Sequence, residues 1–161
     1  MRYLFGIVLI VAGSYAGQGQ RVADFDQRER AALMSIHRAD REAHFKTDVG
    51  LLQAHSPEEF ITVGRGRIHR PTRADERQMF TNYFRGAKYF EWDDVEEPII
   101  RVSRDGSMAW MITRVRVRRT QPDAAGKEVE EKFVYAGIMT YEKRDGRWVR
   151  VANVSTFEPP N

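Results

Sequence analysis

His37, Asp40 and His44 are the residues of this sequence whose types and spacing are best suited to chemistry. On a helix, His44 falls about 20° around the axis from His37 and Asp40 about 60° from it, so the three share an arc with Leu33. Burying titratable groups beside apolar ones costs free energy unless they pair with one another or with a ligand. The reaction this grouping suggests is proton transfer. Asp40 would orient a histidine and raise its pKa, most directly His44 at i+4, and the ring would exchange a proton with a bound carbonyl or hydroxyl compound. Two histidines and a carboxylate could also ligate a metal, but one helix face rarely supplies three ligands in good geometry, so neither a metal nor another cofactor is expected. Structural readings stay open beside these. Asp40 could accept from a histidine that is simply satisfied, and Asp48 is explained as a helix N-cap. The other arc, with Ala32, Ala39 and Ala43, could equally be the buried one, which would leave the histidines in water.

A second set is aromatic: Phe60, Tyr83, Trp92, Trp110 and Tyr135. Together they would give an apolar wall with a few hydroxyl and indole donors, the usual lining of a small-molecule pocket. Each one alone is equally at home in a core. Trp148 reads as a structural residue beside a turn, and His55 and His69 lie near loops without companions.

The elements that must position these groups follow from periodicity and punctuation. Asp24 or Asp26 can cap a long first helix that runs to about Lys46, and Asp48 a short second one from Val49 to His55. Ser56-Pro57-Glu58-Glu59 breaks the helix, Phe60 to Val63 alternate into a strand, Gly64-Arg65-Gly66 turns it, and Ile68 to Arg70 return. Thr72 followed by Asp75 is a capping-box pattern for a third helix that stops at Gly86. Strands are expected at about Tyr89 to Asp94, Ile99 to Ser103, Met108 to Arg119, Glu128 to Lys143 and Arg147 to Phe157, with Thr120 to Lys127 as a polar connection. Asp145-Gly146 between two apolar, β-branched runs is a hairpin signal, because both central positions of the favoured turn need positive φ. Asp105-Gly106 repeats it. Helices first and a meander of long strands afterwards point to an α+β cone in which N-terminal helices pack on a strongly curved antiparallel sheet around a pocket.

Residues 1–16 read as a signal peptide: Arg2 gives a short positive region, Leu4 to Ala12 an apolar one, and Ser14 and Ala16 the small residues before a cleavage expected after Ala16. A membrane-spanning anchor would need about 20 apolar residues. This run ends sooner, so a periplasmic or secreted protein with no membrane contact after cleavage is expected. Residues 17–161 then make one domain of about 145 residues, enough to bury a sizeable core. With no cysteine, it has neither a lipid-anchored cysteine nor disulfides. The 161 residues carry 26 Lys and Arg against 23 Asp and Glu, a net charge of +3 that falls to +2 when Arg2 leaves with the leader. Arg114, Arg116, Arg118 and Arg119 are the densest basic cluster. The first three alternate with valines as on a strand with one wet face, Glu128, Glu130 and Glu131 can sit opposite, and no aromatic residue interleaves to stack bases, so nucleic acid is not an expected partner.

The order of a long helix, an Asp-capped short helix, the Pro57-Glu58-Glu59-Phe60 approach to the first strand, a capped third helix and the final Asp145-Gly146-Arg147-Trp148 hairpin resembles the nuclear-transport-factor-2-like (NTF2-like) superfamily, in particular the SnoaL-like proteins and their secreted relatives. The resemblance spans roughly Phe25 to Phe157. It implies a conical pocket and frequent homodimers, on a scaffold used by isomerases, cyclases, dehydratases and binding domains alike. The ketosteroid isomerases of this superfamily carry a general-base Asp just after the first strand and a Tyr on the first helix. The matching positions here are Gly64 and Asp40, so that reaction is not expected to transfer. The sequence therefore predicts a homodimeric domain that binds a small, partly apolar molecule. The alternatives are an isomerase or dehydratase using Asp40 and His44, and a structural or partner-binding domain whose cone is filled by its own side chains.

Overall fold

Helices precede the meander of strands, as expected, in a computed structural model that describes residues 14–159. The expected leader, residues 1–16, lies mostly outside the described residues. Helix α1 (Ser14–Lys46) leads to α2 (Val49–Leu52), the hairpin β1 (Ile61–Gly64) and β2 (Arg67–His69), and α3 (Arg73–Phe84). Five strands follow: β3 (Lys88–Asp94), β4 (Ile99–Val102), β5 (Met108–Pro122), β6 (Glu128–Arg144) and β7 (Arg147–Phe157).

Local chemistry sets most boundaries. Asp48 accepts the Leu51 N–H at 3.0 Å and caps α2 as expected, but α2 stops at Leu52 rather than His55. The next turns are tighter, with Ala54 donating to Leu51 and Ser56 to Gln53, both three residues back. Thr72 and Asp75 form the reciprocal capping box on α3. Asp24 and Asp26 do not cap α1, which is already helical at Ser14; Asp26 instead accepts from Arg30 at 2.7 Å.

The two Asp-Gly turns differ. Asp145 and Gly146 both have positive φ, 49° and 76°, and close β6 onto β7 in a two-residue turn. Arg65 and Gly66 do the same between β1 and β2, at 51° and 73°. At Asp105-Gly106 only the glycine has positive φ, because the Asp105 carboxylate is engaged by the hydroxyls of Ser103 at 2.6 Å and Ser107 at 2.8 Å, which builds a longer loop.

The seven strands form one unclosed sheet in the order β2-β1-β7-β6-β5-β3, with β4 also on β5. Its neighbours are antiparallel except β1 and β7, which run parallel, so the sheet is mixed rather than wholly antiparallel. That pair arises because the chain crosses the sheet after β2 and meanders back to β1 from the far edge. β3 and β4 share one edge of β5, β4 against Ala109–Ile112 and β3 against Val115–Thr120. β-bulges between Tyr89 and Glu91 and between Thr140 and Tyr141 bend the sheet.

Alternation along β5 assigns the faces. Ala109, Met111, Thr113, Val115 and Val117 are buried, while Ile112 and Arg116 between them are exposed. Two apolar clusters pin α1 to the inner face. Leu33 and Ile36 pack with Ile100, Met111, Tyr141 and Trp148, and Ala43 belongs with Phe84, Tyr89, Trp92, Val115 and Val117. Each large apolar side chain buried this way contributes about 1.5–3 kcal/mol. On the outer face, Arg116 and Arg118 reach Glu91 and Glu130 at 3.6 and 3.5 Å, as a wet strand face would. Register also aligns Ile99, Ile112, Ile138, Val154, Val63 and Ile68 in one outward row across six strands.

Candidate functional site

The polar arc of α1 is the buried one. His37, Asp40 and His44 are 4%, 6% and 8% exposed, whereas on the other arc Ala32 is exposed, Ala39 half-buried and only Ala43 buried. All three line a cavity of about 520 Å³ bounded by α1, α3 and the inner face of the sheet. Its hollowness has a cause in the register. Gly137 and Ser155, which line it, stand side by side on β6 and β7 as small residues between the larger pairs Met139–Asn153 and Tyr135–Phe157. Tyr83 of α3, Trp92 of β3 and Tyr135 of β6 line the cavity as expected.

The remaining aromatic candidates do not line it. Phe60 is buried just before β1, beside a separate groove that runs from Ser56 to Ile61 and across to Val149 and Val151. Trp110 lies between the inward Ala109 and Met111, and strand alternation turns it to the outer face.

The three polar groups of α1 do not form a relay, because each has its own partner. Nε2 of His37 lies 2.9 and 3.0 Å from the two carboxylate oxygens of Asp94 on β3, so that nitrogen carries the proton and donates. The Asp40 carboxylate accepts from Arg150 of β7, and both residues are buried. Burial alone would make the guanidinium less basic, but Asp40 beside it, with the Tyr141 phenol, raises its pKa instead. His44 bonds through Nδ1 to the Asp40 backbone carbonyl at 2.6 Å, not to its carboxylate. Asp40 does pull the pKa of His44 upward, through this carbonyl and its charge, but the expected net rise is corrected. Burial dominates over the pull of Asp40 and lowers the histidine to about 4. The ring is stacked on Trp92 with centroids 4.9 Å apart and meets Tyr83, Phe84 and Tyr89 edge-on.

Two arginines join the site that were not among the candidate site residues, although Arg119 belongs to the basic cluster noted in the sequence. Arg150 sits two residues after the inward Trp148, and Arg119 breaks the Arg-Val alternation so that it points inward where Arg118 points outward. Both could have been found by carrying the strand parity through. Arg119 donates to the Tyr89 hydroxyl and to Glu131, each at 2.8 Å, and its guanidinium lies 4.4 Å over the Tyr83 ring. Burial pushes the Tyr135 phenol well above its ordinary pKa, so it stays protonated. Oδ1 of Asn153 and Nε of Arg150 are buried without hydrogen-bond partners. Among the described residues, no three His, Cys, Asp or Glu side chains are grouped to hold a metal ion, and no helix is long and apolar enough to cross a membrane.

No protein-family model and no curated protein matches the chain in sequence. Solved structures do resemble it. A ketosteroid isomerase-like protein from Erwinia carotovora atroseptica is 16% identical, with a TM-score of 0.62 over 81% of this chain and 96% of that one. A candidate dehydratase of the NTF2-like family from Streptomyces avermitilis is 11% identical, with a TM-score of 0.65 over 83% and 99%. A candidate calcium/calmodulin-dependent kinase II association domain from Exiguobacterium sibiricum is 11% identical, with a TM-score of 0.64 over 82% and 95%. The fold is an α+β cone like that of these NTF2-like structures. At these identities the likeness concerns the fold and not the activity.

Proposed function

We propose that this NTF2-like domain binds a small, partly apolar molecule in its cone. The observation that carries the reading is the open cavity of about 520 Å³, with Tyr83, Trp92 and Tyr135 in its wall and the small residues Gly137 and Ser155 on its sheet side. That open volume weighs against a cone filled by its own side chains. Ser155→Phe tests the reading by placing a ring in the hollow. A panel of small aromatic and alicyclic compounds should raise the melting temperature of the natural protein and leave that of folded Ser155→Phe unmoved. An equal rise in both proteins would put the ligand elsewhere.

A proton-transfer enzyme of the isomerase or dehydratase kind is the second reading. The neutral His44 ring favours it. Against it, the Asp40 carboxylate is already engaged by Arg150 and does not bond to the His44 ring. Turnover lost in Asp40→Asn with the fold retained would establish it.

Export to the periplasm or beyond is proposed from residues 1–16 alone, and the intact mass of the protein recovered from its producing cell tests cleavage after Ala16. Homodimerisation is proposed from the six-strand outward row, in which Ile99, Ile112, Val154 and Ile68 are exposed. An apolar row of this length on one face of a sheet is the kind of surface that associates. Members of this fold are often dimers, which agrees with that reading.

A further inference from the structure

Three features of the cavity wall select the chemistry of a ligand, given that the cavity is a small-molecule site. Its arginine charges are already matched from within, Arg150 with Asp40 and Arg119 with Glu131 at 2.8 Å, and Nε2 of His37 is taken up by Asp94 at 2.9 Å. A charged ligand would leave its own charge unmatched in a desolvated space or would have to break one of these pairs, and either is costly. The Nε group of Arg150 is unpartnered but sealed inside the wall.

The second feature is a fixed tautomer. A carbonyl oxygen only accepts, so the 2.6 Å contact between Nδ1 of His44 and the Asp40 carbonyl requires the proton on Nδ1. With the ring neutral, Nε2 presents a lone pair, and no described residue donates to it. Third, that ring is fitted among flat apolar surfaces: stacked on Trp92 at 4.9 Å, with the edges of Tyr83, Phe84 and Tyr89 at 6.1, 5.4 and 5.2 Å. The His44 ring fills that slot itself, while Tyr83 and Trp92 also face the cavity with Phe80, Phe133 and Tyr135, so the acceptor opens onto an aromatic wall that is matched by a flat molecule bringing one donor.

We propose that the cavity takes an uncharged, flat, largely apolar molecule bearing a hydroxyl or N–H group that donates to Nε2 of His44, and that it discriminates against the corresponding carboxylate. The carboxylate brings acceptors only, and it would set its lone pairs against that of Nε2.

Three matched probes, 2-naphthol, its methyl ether 2-methoxynaphthalene, and 2-naphthoate, titrated into the protein at neutral pH by calorimetry, decide the matter. The naphthol should bind about tenfold more tightly than the ether, the ratio expected for one buried hydrogen bond, and the naphthoate more weakly than either. His44→Phe should bring naphthol and ether to equal affinity while both still bind. The comparison among probes on the natural protein stands even if that variant does not fold. Naphthol and ether binding alike would overturn the donor assignment and leave the cavity as a binding site. Tightest binding of the naphthoate would overturn it in favour of an anion site on the arginines. Binding of none of the three would overturn the cavity reading itself, and this inference with it.

Discussion

The Arg150 guanidinium closes on the Asp40 carboxylate inside the cone, joining the C-terminal part of α1 to β7 in the wall of the cavity. This pair decides what the polar face of α1 can do. It removes Asp40 from the list of free bases, it leaves His44 with only the backbone carbonyl of Asp40 as a partner, and it keeps a positive and a negative group buried at the expense of their hydration.

Breaking the pair from one side should therefore be severe. Asp40→Asn or Arg150→Met leaves the other group charged and uncompensated, at a cost of about 3–5 kcal/mol, which for a domain of this size lowers the melting temperature by about 10 °C. The double variant Asp40→Leu with Arg150→Met replaces both charges by apolar groups and should recover most of that loss. Thermal and urea unfolding of the three variants check this. A double variant as unstable as the sum of the singles would mean that the pair contributes little as a pair.

Protonation of His44 opposes folding. Its pKa falls from an ordinary 6.5 to about 4 on folding, through burial first, offset by the Asp40 carbonyl and carboxylate and assisted by Arg150 and Arg119. The unfolded chain thus binds the extra proton between those two values. The stability linked to this ring is fully present above pH 6.5, declines as the pH drops towards 4, and falls no further below it. The whole decline amounts to about 3 kcal/mol. Urea unfolding at pH 7 and pH 5 should show a steeper loss in the natural protein than in His44→Phe, where the carboxylates that also titrate are unchanged. Equal slopes would place His44 in a wetter setting than the structure gives it.

Arg119 should not tolerate lysine. Its planar head reaches the Tyr89 hydroxyl and Glu131 together and lies over the Tyr83 ring, and a single ammonium point cannot do all three. Arg119→Lys should cost about 1–3 kcal/mol, while Glu131→Gln, whose side chain is more exposed, should cost less. Equilibrium unfolding in urea separates the two, and equal losses would assign the effect to the Glu131 pair alone.

Much of this was legible in the sequence because it is local. The Thr72–Asp75 capping box, the Asp48 cap and the Asp145-Gly146 turn each depend on residues within four positions of one another, and each formed as expected. The arc of α1 carrying His37, Asp40 and His44 could be recognised as unusual, but not as buried, because Ala32, Ala39 and Ala43 offered an equally plausible inner face. What settles it is tertiary: Arg150 and Asp94 arrive from strands far along the chain to satisfy the polar groups. The same holds for the parallel pairing of β1 with β7, which no local pattern encodes. Trp110 was misplaced for a different reason. Its aromatic type groups it with the pocket wall, while its parity relative to Met111 puts it outside.

The outward row across the sheet makes the last prediction. Ile138 stands at its centre, with Ile112 on one side and Val154 on the other, and both neighbours are exposed in the single chain. If a second copy covers this face, a charge there would be desolvated on association with nothing to pair it, so Ile138→Glu should convert a dimer into a monomer at micromolar concentration. Sedimentation equilibrium gives the mass directly. The inner face is untouched by this change, so the melting response to ligands should persist in the monomer. A natural protein that is already monomeric at that concentration would refute the dimer, and an Ile138→Glu protein that stays dimeric would move the interface to another face.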